Sequence, residues 1–144
     1  GGQPAPANGA HVHQVRVYYE DTDAGGVVYY ANYLKFAERA RTEMLRGLGV
    51  ENSGLMDGQG IVFAVHHCSA DFLKPARLDD LLEVHSRLVE VGGASLNFEQ
   101  LVKRDGEDVV RLDLRLACMT PSGRPARLPG EVRDSFIKSI SVAT

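Results

Sequence analysis

The chain has 144 residues, 44% of them hydrophobic, with a net charge of -3 and a pI near 5.9. That length supports a single domain with a real core, and the mild acidity excludes a general electrostatic attraction to nucleic acid or to an anionic membrane surface. No apolar run approaches the roughly 20 residues of a membrane span and the start lacks the regions of a signal peptide, so a cytoplasmic protein is expected.

Residues 1–10, GGQPAPANGA, are small, Gly- and Pro-rich and without periodicity. They are expected to form a disordered tail ahead of a single domain over residues 11–144, and the missing initial Met fits a processed start. His13, Val15, Val17 and Tyr19 then alternate with Gln14, Arg16 and Tyr18, the mark of a first strand leading into the loop EDTDAGG. Apolar or aromatic residues recur at Tyr29, Tyr33, Phe36, Ala37, Ala40, Met44, Leu45 and Leu48, which is one face of a helix from about residue 31 to 48. Such a helix runs about 27 Å, and Gly49 stands where a stop belongs.

Residues 52–60 form a polar connection, and residues 61–72 a strand expected to be partly covered on both faces, ended by Pro75. Residues 81–91 form the next strand, and Gly92-Gly93 suits the positive φ angles of a tight turn into a partner over 95–103. Asp105-Gly106 supplies a second hairpin turn, followed by the cleanest alternation in the chain, Val110, Leu112, Leu114, Leu116 and Cys118. After the loop TPSGRPARLP, residues 131–140 read as a short terminal helix or strand. One long helix and about five strands, four of them consecutive, define an α+β fold in which an antiparallel sheet curls around the helix.

Chemistry gathers at the start of the helix. The first N–H groups of a helix have no partner within it and carry partial positive charge, so Tyr30 and Ala31 can hold an anion or a developing oxyanion. Gly25 and Gly26 allow a sharp turn that brings the Asp23 carboxylate back towards those groups. A carboxylate beside an oxyanion site is the minimum for hydrolysing an activated acyl group, although Asp is also an ordinary turn and capping residue. Asp21 reads as structural within the same loop. Glu38, two turns further on, reads as a solvated or salt-bridged side chain beside Arg39 and Arg41, and becomes a second candidate base only through the family resemblance below. His66 and His67 alternate on a strand and cannot chelate a metal together. Cys68 and Cys118 lack ligand spacing and read as reduced packing residues. No metal site, Walker loop or G-x-S-x-G pattern is present.

The stretch YYEDTDAGGVVYYANYLKFAERARTEML resembles the hotdog-fold acyl-CoA thioesterases of the 4-hydroxybenzoyl-CoA thioesterase type, most of all their Tol-Pal-associated branch. FLKPARLDDLLEV, GGASLNFEQ and the basic loop before Leu128-Pro129 extend the resemblance over about residues 12–136. It implies a hotdog fold, Asp23 as catalytic carboxylate and the Tyr30 backbone N–H as carbonyl-polarising donor, acting without cofactor on acyl-CoA or an acyl carrier protein thioester. It also implies a homodimer or dimer of dimers with continuous sheets and a shared active site. Gly26, Tyr29, Ser95, Arg124 and Arg127 are the expected substrate-binding residues, the two arginines towards coenzyme A phosphates. Many members of the branch carry His where this chain has Tyr30. A hotdog hydratase or dehydratase and a non-catalytic acyl-carrier or envelope-complex binding module are the competing readings.

Overall fold

The structure is a computed structural model and describes residues 10–49 and 60–143, with the side chains of 141–143 left aside. The expected tail lies outside the described residues except for Ala10, which is buried. The 52–60 connection also lies outside them, apart from Gly60.

Strands β1 (His11–Arg16), β2 (Val62–Phe72), β3 (Leu81–Val91), β4 (Ser95–Arg104) and β5 (Glu107–Met119) form one antiparallel sheet in the order β1-β3-β4-β5-β2. Helix α1 (Tyr30–Gly47) lies in its concave face, and a second helix, α2 (Gly130–Ala143), settles the open choice for the C-terminal segment. This is the α+β helix-in-sheet architecture expected from the sequence.

Helix α1 forms where the three-and-four spacing placed it, one residue earlier at each end. Its 18 residues bury Tyr33, Phe36, Ala37, Ala40, Met44 and Leu45 along one stripe, and Gly49 takes φ 83° after Leu48, the left-handed exit that ends a helix. Tyr33, Phe36 and Ala37 meet Val84, Val102, Val110 and Leu112 in one half of the core. Met44 and Leu45 meet Leu88, Leu96, Phe98 and Phe136 of α2 in the other.

Four expectations need correction. Only the start of the 61–72 segment, Val62 to Ala64, is partly covered on both faces: β2 is an edge strand paired to β5, so residues 65–69 are exposed, Val65 at 51%. For the same reason Cys68 is exposed rather than packed, whereas Cys118 is buried and its thiol is pushed up to about 11 by burial. β2 and β3 are consecutive in sequence yet do not pair, since the chain crosses from one edge to a position beside β1. Finally, neither Gly92 nor Gly93 takes a positive φ. What Gly92 supplies is room, because a Cβ there would stand 2.5 Å from the Ser95 hydroxyl oxygen. The Asp105-Gly106 turn does use two positive φ angles, 50° and 81°.

A polar network ties the helix to the sheet. Gln100 occupies an inward position on β4 with 0% exposure, accepts from Arg41 Nη1 at 3.0 Å, and donates to the Ala37 carbonyl at 2.9 Å and to Ser86 Oγ at 2.8 Å. Leucine at this position would strip a buried guanidinium and a buried carbonyl of their partner. We expect Gln100→Leu to lower unfolding stability by about 3 kcal/mol. Urea denaturation checks this, and a loss below about 1 kcal/mol would show that the network contributes little.

Candidate active site

The loop between β1 and α1 is held at both ends by Asp21. Its side chain accepts from the Tyr18 N–H at 2.9 Å. Its carbonyl accepts from the Tyr29 N–H at 3.1 Å and from the buried Asn32 amide at 2.8 Å. The structural role read for Asp21 is therefore what the geometry shows. Asn32, which the sequence reading passed over, anchors the first turn of the helix to the same atom.

Between these anchors the chain makes a short reverse loop. The Asp23 N–H donates to the Val27 carbonyl at 2.9 Å, and the Gly26 N–H donates to the Asp23 carbonyl at 3.0 Å. Gly26 takes φ 78°, which a side chain would oppose. The Gly25 N–H donates to Asp23 Oδ1 at 2.8 Å, and a Cβ on Gly25 would press to 3.2 Å from that oxygen. One carboxylate oxygen of Asp23 is thus fixed by its own loop; Oδ2 has no hydrogen-bond partner among the described residues.

Tyr29 is the N-cap of α1 and makes no side-chain capping bond, and the first turn carries no acidic residue. The N–H groups of Tyr30 and Ala31, at the first two helical positions, have no carbonyl of the helix to bond. A Ser, Thr, Asp or Asn side chain at the N-cap commonly covers such donors; Tyr29 covers none. Asp23, Tyr29 and Tyr30 line one cavity of about 310 Å³. The opposite wall was not foreseen: the Phe72 ring stands 4.6 Å from that of Tyr30 and 5.9 Å from that of Tyr33, with Pro75 beside them. The available signal was Phe72 closing an apolar strand three residues before a proline.

The remaining expected binding residues lie elsewhere in the protomer. Ser95 pairs with Ala117 and Ala117 with Ala64, whereas the Asp23 cavity stands by Phe72, opposite Val110. Along β5 the two levels, Ala117 and Val110, are seven residues apart, about 23 Å at 3.3 Å each. Arg124 and Arg127 belong to the Ser95 end. The loop carrying them bonds the β3–β4 turn through the Leu128 N–H to the Gly93 carbonyl at 3.3 Å, and Arg127 lies against Gly93. Glu38 is exposed on α1, about 12 Å along the axis from Tyr30, and lines a second cavity beside Arg41. No cluster of His, Cys, Asp and Glu among the described residues could hold a metal ion, and none of the described helices is long and apolar enough to cross a membrane.

The sequence matches the Thioesterase superfamily over residues 25–111, from the glycine loop into the first part of β5. The chain belongs to that family, and its fold is the hotdog fold. It is 45% identical over 123 residues to the acyl-CoA thioesterase YbgC of Haemophilus influenzae, covering 85% of this chain and 90% of that one. It is 41% identical over 124 residues to the acyl-CoA thioester hydrolase YbgC of Escherichia coli O6:H1, covering 85% and 92%. A probable thioesterase from Bartonella henselae has a crystal structure that superposes with a TM-score of 0.81 at 39% identity, over 83% of this chain and 99% of that one. A 4-hydroxybenzoyl-CoA thioesterase shares the fold at 23% identity, with a TM-score of 0.82 over 88% and 97%.

The double role of Asp21 generates a prediction. Asp21→Asn weakens a charge-assisted bond to Tyr18 but keeps the carbonyl that holds Tyr29 and Asn32, so stability should fall by about 1 kcal/mol with the helix start in place. Thermal unfolding measures this; a change in turnover larger than the change in stability would mean that Asp21 takes part in the chemistry.

Proposed function

We propose that this protein hydrolyses acyl-CoA thioesters to a free acid and coenzyme A. The observation that carries the reading is the single cavity that joins a half-free carboxylate, Asp23, to an uncapped helix start at Tyr30. A thioester carbonyl accepting from the Tyr30 N–H gains positive character at carbon, and the helix dipole favours the negative charge that develops on its oxygen. Asp23 Oδ2 is the group left to act on that carbon. Acting as base, it takes a proton from water as the water oxygen bonds to carbon; the tetrahedral intermediate then expels the thiolate, which is protonated to coenzyme A. Acting as nucleophile, it forms a mixed anhydride with the same loss of thiolate, and water then cleaves the anhydride. Similarity to the YbgC thioesterases supports the substrate class.

The working unit in this reading is a dimer or a pair of dimers joined along β2. An 11-residue edge strand with exposed Val65 (51%) and Phe72 (45%) is too long and too apolar to stand unpaired. Antiparallel pairing about the middle of β2 sets the Phe72 end of one strand beside the Val62 end of the other. That arrangement carries the Asp23 cavity of one subunit towards the end of its partner that holds Ser95, Arg124 and Arg127. It would let those residues, distant within one protomer, contact the coenzyme A portion of a shared substrate.

Asp23→Asn should lower kcat at least about a hundredfold, the low end for a positioned acid–base group, with the fold retained by circular dichroism. Turnover within a few fold of wild type would remove Asp23 from the mechanism. In the same assay Tyr30→Phe should lose less than about threefold, because the donor is the backbone; Tyr30→Pro, which deletes that N–H, should be inactive. Assembly is tested separately. Val65→Arg, with a charge on the paired edge, should shift light-scattering mass from a multiple of 15.7 kDa towards that single-chain value and lose turnover in step; a fully active wild-type monomer at assay concentration would end the shared-site reading.

A further inference from the structure

Arg41 is the least expected residue of the buried set. It sits on α1 at 8% exposure, and no carboxylate among the described residues forms an ion pair with it. Its one side-chain bond among the described residues is Nη1 to the neutral Gln100 amide oxygen at 3.0 Å. Burial lowers its pKa, with Glu38 pulling the other way, yet a guanidinium stays charged at neutral pH. A cation taken out of water without a counter-anion is costly, and the cost falls when an anion arrives.

Arg41 also lines a cavity of about 220 Å³ between α1 and the β2 edge, walled by Leu45, Phe63, Val65 and Leu116 with Glu38 and Thr42 at its mouth. Its volume is the share of about seven waters, room for a few heavy atoms. Four of the seven lining side chains are apolar. Of the two charges, the Arg41 guanidinium is buried and the Glu38 carboxylate is exposed at the mouth without an ion pair to it, so the Arg41 end suits a short aliphatic stem ending in an anion. Phe63 and Val65 lie near the start of β2, and the Asp23 cavity lies at its end by Phe72. Under the two-fold pairing described above, the Arg41 cavity of one subunit adjoins the Asp23 cavity of the other.

We propose that the Arg41 cavity binds the far end of the acyl group and selects short acyl chains that terminate in a carboxylate, the monothioesters of small dicarboxylic acids. This rests on the thioesterase reading and its paired subunits. The guanidinium is held in place by Gln100, itself bonded to Ala37 and Ser86, so little ordering is left for the ligand to bring about. A charge-assisted bond from carboxylate to Arg41 replaces the missing anion.

The test compares glutaryl-CoA with valeryl-CoA, equal in chain length and different in the terminal group. Wild-type kcat/KM should favour glutaryl-CoA by at least tenfold, and in Arg41→Gln that ratio should fall to about one. Because Arg41 also belongs to the buried network, Thr42→Glu serves as a second variant: it adds a carboxylate at the mouth of the same cavity and should collapse the ratio without removing the guanidinium. A wild-type ratio of one or less overturns the proposal, as does a tenfold ratio that survives both substitutions. If neither thioester is turned over, the thioesterase reading has failed on its own. Calorimetric titration of the wild-type protein with glutarate and with valerate still decides the anion site: tighter binding of glutarate upholds it, and equal binding overturns it.

Discussion

Everything in this fold depends on burying one stripe of a single 18-residue helix inside a curled five-stranded sheet. The stripe supplies both halves of the core, Tyr33, Phe36 and Ala37 at one end and Met44 and Leu45 at the other. A helix so enclosed has its axis, and therefore the direction of its terminal N–H groups, set by packing rather than by capping. It can dispense with the side chain that would otherwise cover Tyr30 and Ala31, because the stability a cap contributes, about 1 kcal/mol, is small beside the burial of that stripe. The open helix start is thus a consequence of the enclosure.

The same enclosure explains where polar groups are tolerated inside. Gln100 has the inward parity of Phe98 and Val102 on β4, an amide where an apolar residue would pack. It is accommodated because Arg41, Ala37 and Ser86 use its donors and acceptor. That parity was legible in the sequence, since Gln100 breaks an apolar run at every second residue. Its partners were not, because they come from α1 and β3, 59 and 14 residues away.

Local chemistry was the most readable part of the chain. The helix followed from its spacing, the Asp105-Gly106 turn from the two positive φ angles it requires, and the loop around Asp23 from the need for Gly25 and Gly26 beside a carboxylate. Strand order was less readable. Alternation marks a strand but not its neighbour, so nothing local to residues 62–72 says that they cross to the far edge and pair with β5. The misreading of Cys68 follows from that: a residue on an inward position is buried in a central strand and exposed at an edge. Gly92 shows a similar limit, for a glycine needed to clear Ser95 looks in sequence like one needed for its φ.

The edge position of β2 connects these facts to chemistry. A central β2 would cover Phe72 and Val65; an edge β2 leaves them exposed, with two separate cavities between α1 and that edge, one at Asp23 and one at Arg41. Water is undesirable along an acyl chain but required at the thioester carbon. A groove closed by a second copy meets both demands, since the paired edges exclude water along their length while the loop carrying Asp23 stays at the surface. In the paired arrangement proposed above, the exposed apolar residues of β2, a liability in an isolated chain, would wall the substrate site, and the strand order that sequence alone did not disclose is what puts them on the edge.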